Sequence, residues 1–345
     1  VALSTGKIVE GTICYTGDIL NPDEKKYTVD YYLKKAHEIE DLGCHIFAIK
    51  DMAGLLKPYA AKKLFTELKK ELKIPVHLHT HDTTGNGVST VLMAAEAGVD
   101  IVDLAIESMS TITSQPSMNS VVYALKGTER DTELVPDELN ELSRYYEDVR
   151  KMYSGFESNM RTPNTEIYKY EIPGGQYSNL RFQVKEMGSA DEFEHIKELY
   201  KQSNELFGNI VKVTPSSKVI GDFAIFMQKN GLTKDNIFEK GKDLSYPESA
   251  VEYFRGLIGQ PDGGFPEELS KIILKDQKPI NGRAGELLPP ADFDKMGEEL
   301  MSKFNFDKVN MRNILSSALY PKVYDEYCAH LQHYNDVSRL DSHVY

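Results

Sequence analysis

His45-Ile46-Phe47-Ala48-Ile49-Lys50-Asp51 and Val76-His77-Leu78-His79-Thr80-His81-Asp82 are short apolar-rich runs that end in polar residues, and Pro58 to Leu72 between them has helical periodicity. Strand, helix, strand is a βαβ unit, whose strands lie parallel because the crossover helix carries the chain back along the sheet. Reading outward, Lys7 to Tyr15 predicts a strand and Tyr27 to Leu42 a helix stopped by Gly43. Downstream, Gly87 to Ala97 predicts a helix closed by Gly98, and Val99 to Ala105 a further strand. Strands thus recur about every 30 residues with a helix in each gap. Tyr15, Asp18, Lys50, Asp51, His79, His81 and Asp82 gather at the C-terminal strand ends, where active sites sit in a (β/α)8 barrel and in an open doubly wound sheet. Four units amount to half a barrel, so either the sheet is open or the first half lies upstream of Val1.

A strand repeats every two residues, so His77, His79 and His81 share one face. Neutral imidazoles two apart can reach one ion, and His-x-His-Asp at a strand end points to a metal site. The plainer alternative is a half-buried strand whose histidines meet backbone carbonyls or water. Lys50 ends an otherwise apolar strand, where desolvation favours the neutral amine. Such an amine can form a Schiff base or take up carbon dioxide as a metal-binding carbamate; a salt bridge to Asp51 or Asp82 would satisfy it equally well.

The 345 residues suffice for two or three domains with a large core. With 41% hydrophobic and 27% charged residues the composition is that of a soluble globular protein. No apolar run approaches the ~20 residues that span a bilayer. A net charge of −13 argues against a nucleic-acid or membrane-surface binder. Cys14, Cys44 and Cys328 lack metal-like spacing and fit reduced thiols in a cytoplasmic protein. The N-terminus has neither an initiator methionine nor a signal peptide, as expected of a piece of a longer polypeptide.

From residue 136 the alternation gives way to charged helical stretches: Pro136 to Tyr153, Ser189 to Gly208, Gly221 to Gly231 and Ser249 to Leu257. Two Gly/Pro-rich segments, Ile172-Pro173-Gly174-Gly175-Gln176-Tyr177 and Val213-Thr214-Pro215-Ser216-Ser217-Lys218, read as polar loops on that scaffold. A linker-like stretch, Gln277 to Pro290, leads to a last helical region, Asn310 to Tyr334.

Five motifs in order resemble the pyruvate carboxylase family: Ile49-Lys50-Asp51-Met52-Ala53-Gly54, His79-Thr80-His81-Asp82, Thr113-Ser114-Gln115-Pro116-Ser117, Ile172 to Tyr177, and Lys212 to Lys218. The resemblance implies the second half of a carboxyltransferase TIM barrel over 1–135 and a helical extension covering the barrel mouth over 136–275. Over 276–345 it implies a linker and the start of the tetramerisation domain, around Tyr320-Pro321-Lys322-Val323-Tyr324. It also implies transfer of a carboxyl group from carboxybiotin to pyruvate, giving oxaloacetate. By the same resemblance a carboxylated Lys50, His79 and His81 ligate manganese or zinc, and His77 packs behind them. Thr214 shuttles a proton between biotin and pyruvate, and Gln176, Ser217 and Lys218 line the biotin pocket.

The family's aspartate metal ligand and pyruvate-gripping arginine belong to the upstream half of the barrel, which this sequence lacks. Also missing are the ATP- and magnesium-using biotin carboxylase domain and a Met-Lys-Met biotin-attachment motif. The expected partners are therefore that upstream half, a biotin carboxyl carrier domain and further copies in a homotetramer. Other readings are an oxaloacetate decarboxylase α subunit or transcarboxylase 5S subunit, a lyase or synthase barrel of the 3-hydroxy-3-methylglutaryl-CoA lyase type, and a non-catalytic oligomerisation fragment.

Overall fold

A computed structural model describes residues 1–157, 160–186 and 192–334. Four strands, β1 (Glu10–Cys14), β2 (Ile46–Asp51), β3 (Val76–Thr80) and β4 (Ile101–Val102), form one parallel sheet in the order β1-β2-β3-β4. The crossovers carry α1 (Val29–Asp41), α2 (Pro58–Glu71) and α3 (Gly87–Glu96), and α4 (Met118–Leu125) follows β4. Each helix packs against the next in line, α1 on α2, α2 on α3 and α3 on α4. Right-handed crossovers in an order that never reverses place every helix on the same face, whereas a doubly wound sheet reverses and is covered on both.

Local chemistry explains where these helices begin. The Thr28 side chain accepts the Tyr31 N–H at the head of α1, Pro58 occupies the first turn of α2, and Ser117 caps α4 by accepting from Ser120 N. The strand expected over Val99 to Ala105 pairs only at Ile101 and Val102, after which the chain leaves the ladder.

Beyond the sheet come α5 (Pro136–Met152), α6 (Ile167–Tyr170), α7 (Gly174–Glu186), α8 (Phe193–Leu206), α9 (Ser216–Lys229), α10 (Ile237–Lys240), α11 (Glu248–Arg255) and α12 (Glu267–Leu274). The two segments read as loops are largely the first turns of α7 and α9. The helix expected from Gly221 therefore starts five residues earlier, at Ser216. Of the helix expected from Ser189, positions 189–191 lie outside the described residues. One apolar cluster runs from Tyr15 through Leu78 and Tyr200 to Leu274, so sheet and helices share a core. Compactness divides the chain into Val1–Arg283 and Ala284–Tyr345, within the segment read as a linker.

The second unit holds α13 (Phe293–Phe304), α14 (Met311–Leu319) and α15 (Pro321–Tyr334). Asp292 caps α13, Asn310 and Asn313 form a capping box on α14, and Leu300, Phe304, Ile314, Tyr324 and Cys328 make its core. No described helix is long and apolar enough to cross a membrane.

Candidate active site

Parallel pairing sets Lys50 beside Cys14 on one side and His79 on the other. Alternation along β2 then sends Asp51 to the opposite face. There it is fully buried, and its carboxylate accepts the N–H groups of Ala53, Leu55 and Leu56 and the Thr80 hydroxyl at 2.9–3.3 Å. Burial still pushes the Asp51 carboxyl above the usual range, against the pull of those donors. Asp82 is committed too, with its Oδ1 accepting Gly87 N at 2.8 Å at the head of α3. Neither expected salt bridge to Lys50 forms, and among the described residues the half-buried Lys50 ammonium has no ion-pair partner.

The three histidines are held differently. His79 Nδ1 lies 2.8 Å from Asp103 Oδ2, and His81 Nδ1 donates to the Thr113 carbonyl at 2.7 Å. A carboxylate and a carbonyl can only accept, so both Nδ1 atoms carry hydrogen, and in the neutral ring this tautomer leaves the lone pair on Nε2. The two rings stand edge to face with centroids 5.2 Å apart. Burial lowers the His81 pKa, with a smaller push from His79, and this favours the neutral ligating form. Pinned Nδ1 and open Nε2 is the usual arrangement of metal-binding histidines. His77 instead sits between carboxylates, its Nδ1 2.8 Å from Glu10 Oε2 and its Nε2 3.0 Å from Asp103 Oδ1, the latter off hydrogen-bond alignment. No group of three or more His, Cys, Asp or Glu among the described residues is arranged to hold a metal. The chain thus contributes two imidazoles and an amine to any such site.

The segment holding His81 is strained. Thr111 and Ile112 adopt φ of 71° and 54°, a left-handed conformation that costs β-branched residues about 1–3 kcal/mol each. The loop is clamped by Thr111 N to Gln115 O, Ser114 N to Thr111 O and Asp82 N to Ser114 O, each at 2.9 Å. Across from it, Gly54 (φ 70°) lies so close to the strand end after β3 that a Cβ would stand 2.7 Å from His81 O. Only glycine fits, which accounts for the last residue of Lys-Asp-Met-Ala-Gly.

The helical region reaches this strand-end cluster through α7. Gly174 N donates to Met52 O at 3.3 Å, and a Cβ on Gly174 would lie 3.1 Å from Thr83 Oγ1 and 3.4 Å from Thr113 Cα. Next to it a cleft of about 520 Å³ is lined by Thr111 to Ser114, Arg150, Gly175 and Ser178. Half-buried Gln176, in the first turn of α7, packs on α9 against Gly221, where a Cβ would stand 2.5 Å from its Nε2. The head of α9 carries Ser217, which is buried, and Lys218, which is exposed and paired with Asp222 at 2.7 Å. Thr214 is exposed just before α9, and no hydrogen bond joins its hydroxyl to another described residue. Ser216 shapes that turn: its hydroxyl lies 3.1 Å from Val213 N and 2.7 Å from Val211 O. Beneath it, buried Lys212 pairs with Glu171 at 2.7 Å.

The geometry thus groups Lys50 with His79 and His81, and Gln176 with Ser217 and Lys218. The two groups are bridged through Gly174 and Thr113. Sequence reasoning assigned no role to Asp103, Glu10 or the Thr113 carbonyl. The one available signal was that Asp103 follows Val102, the residue in register with Leu78.

Residues 167–345 match the Conserved carboxylase domain family and residues 18–145 the HMGL-like family. Pyruvate carboxylase of Bacillus subtilis is 51% identical over 98% of this chain and 29% of its own length. The mitochondrial pyruvate carboxylase of Homo sapiens is 44% identical over 93% of this chain and 27% of its own. The chain therefore spans under a third of these relatives. The carboxyl transferase domain of Rhizobium etli pyruvate carboxylase, solved with pyruvate and biocytin, superposes with a TM-score of 0.94 at 44% identity. That match covers 98% of this chain and 57% of that one. The chain belongs to the conserved carboxylase domain family, and along nearly its whole length it is similar to the carboxyltransferase region of pyruvate carboxylases.

Proposed function

We propose that this chain forms the second half of a (β/α)8 barrel over residues 1–135 and the helical cover of its mouth over 136–275. Residues 276–345 then begin a tetramerisation domain. The unreversed strand order, with helices packed in sequence on one face, supports closure by an upstream half that fills the edges at β1 and β4. The activity is the carboxyltransferase step of a biotin-dependent pyruvate carboxylase acting in the cytoplasm: the carboxyl group of carboxybiotin passes to pyruvate, giving oxaloacetate. ATP and magnesium act at a separate domain, and a carrier domain delivers the biotin.

One observation carries this reading: among the described residues Lys50 has no carboxylate partner, and it stands beside two imidazoles whose Nδ1 atoms are pinned and whose Nε2 atoms make no hydrogen bond to a described residue. His79, His81 and Lys50, the last as its carbamate, would hold a divalent ion, manganese or zinc, with an aspartate from the upstream half. When bound, such an ion supplies a fixed positive charge that favours the enolate of pyruvate. Thr214 Oγ1 takes the proton leaving the pyruvate methyl group while giving its own to the ureido nitrogen vacated by the carboxyl group. A hydroxyl does this without acquiring charge. Its exposure and its lack of a competing partner among the described residues suit a group that meets two visiting molecules. Gln176, Ser217 and Lys218 bind and orient the biotin ring from the paired heads of α7 and α9.

The test uses the full-length enzyme. Thr214→Ala should lower oxaloacetate formation by the ~10²–10⁴-fold typical of a lost acid–base group, while bicarbonate-dependent ATP cleavage survives. Thr214→Ser should retain far more activity. Near-normal turnover by the alanine variant would mean that another group moves the proton.

A further inference from the structure

Asp103 stands one residue beyond the β4 ladder, and its two oxygens face two different histidines. Oδ2 lies 2.8 Å from His79 Nδ1 and Oδ1 lies 3.0 Å from His77 Nε2. On its far side His77 Nδ1 meets Glu10 Oε2 at 2.8 Å. Glu10, His77, Asp103 and His79 therefore stand in one row from β1, across β3, to the loop after β4, hydrogen-bonded at its two ends and joined in the middle by the unaligned 3.0 Å approach of His77 Nε2 to Asp103 Oδ1. His77 is almost fully buried, while the Asp103 and Glu10 side chains are 44% and 35% exposed. A carboxylate so exposed rotates freely unless something fixes it. Here Asp103 Oδ2 is held by His79 Nδ1, and Oδ1 lies against the ring of His77, which Glu10 holds through Nδ1.

We propose that Asp103 is the positioning residue of the candidate metal site, orienting His79 and fixing its tautomer, and that the His77 ring, held by Glu10, backs Asp103 on its other side. The proposal rests on the reading of His79 and His81 as ligands and adds what that reading leaves open, namely why a third histidine and two acidic residues line the same face. A carboxylate on Nδ1–H keeps the Nε2 lone pair aimed outward and makes the ring a stronger donor. Losing such a partner weakens metal affinity by about 10–100-fold. His77 is then a backing residue, its Nδ1 taken by Glu10 and its Nε2 set 3.0 Å from Asp103 Oδ1.

Metal retention by the full-length enzyme, measured by elemental analysis after dialysis against graded chelator, reads this directly without relying on turnover. His79→Ala should abolish retention. Asp103→Ala should release metal at roughly 10–100-fold lower chelator, and His77→Gln should show a smaller shift in the same direction. Full metal in His79→Ala would overturn the ligand reading itself. Loss in His79→Ala with wild-type retention in Asp103→Ala would overturn the role of Asp103 alone. If Asp103→Ala does not fold by circular dichroism, near-isosteric Asp103→Asn carries the test. Its amide keeps one acceptor, so retention should fall between wild type and His79→Ala, and wild-type retention would again refute the proposal.

Discussion

Gly221→Ala separates stability from activity at the junction of α7 and α9. Gly221 is buried inside α9 and does not have a positive φ, so alanine suits its backbone and should add about 1 kcal/mol of helix propensity. The new Cβ, however, would stand 2.5 Å from Gln176 Nε2 and 3.5 Å from its Cδ. The Gln176 amide is the mobile end of a side chain, so it should swing away rather than break the helix pair. If Gln176 binds biotin as proposed, Gly221→Ala should cost what Gln176→Ala costs. That is one hydrogen bond of about 0.5–1.5 kcal/mol, or roughly two- to twelvefold in carboxyl transfer at limiting carrier. In a Gln176→Ala background there is nothing left to displace. There Gly221→Ala should leave activity unchanged and raise the melting temperature by about 2–4 °C, the shift expected for 1 kcal/mol in a unit of this size. Oxaloacetate formation and thermal scans on the four proteins complete the cycle. Equal activity losses from Gly221→Ala in both backgrounds would refute the contact as the cause, and full activity in the single variant would remove Gln176 from the site.

Two further perturbations probe the supports of the site. Lys212→Met leaves Glu171 without its partner in a largely buried place. It should cost about 3 kcal/mol, the low end for a broken buried pair because Glu171 keeps some exposure, and Lys212→Met with Glu171→Leu should cost less than the single change. Thermal scans decide this, and an additive double variant would show that the two residues do not interact. Asp51→Ala strands three amide donors and the Thr80 hydroxyl, and at about 1–3 kcal/mol for each unsatisfied group it should destabilise by more than about 3 kcal/mol. Because burial raises the Asp51 carboxyl, its contribution is present at low pH and is lost as pH rises through its folded value. Asp51→Asn should therefore flatten that part of the stability profile, and an unchanged slope in pH-dependent melting would contradict the assignment.

The strand–helix alternation was legible because periods of two and 3.6 are local properties, and β1, β2, β3 and α1 to α3 lie within a few residues of where periodicity puts them. Pro173-Gly174-Gly175-Gln176 looked like a loop because two glycines carry no helical signal. Its conformation is set by Met52, Thr83 and Thr113, more than fifty residues away in the chain. The choice between salt bridge and open amine at Lys50 turned on which face Asp51 takes and what it finds there, and four donors waiting on the far face decide it. Asp103 was invisible for a related reason: its role depends on the β3–β4 register, and no residue near it in sequence announces which side chain it will meet.

The contact at Gly54 has a mechanical consequence. No side chain separates the backbone after β2 from the backbone after β3, so nothing at that point can repack to let one strand end slide past the other. The amine of Lys50 and the ring of His81 are thus mounted on a single stiff floor. At the heads of α7 and α9 the contact is of another kind, made by the amide of Gln176, the tip of a side chain that can turn. The stiffness of that floor is written into the position of one missing methyl group.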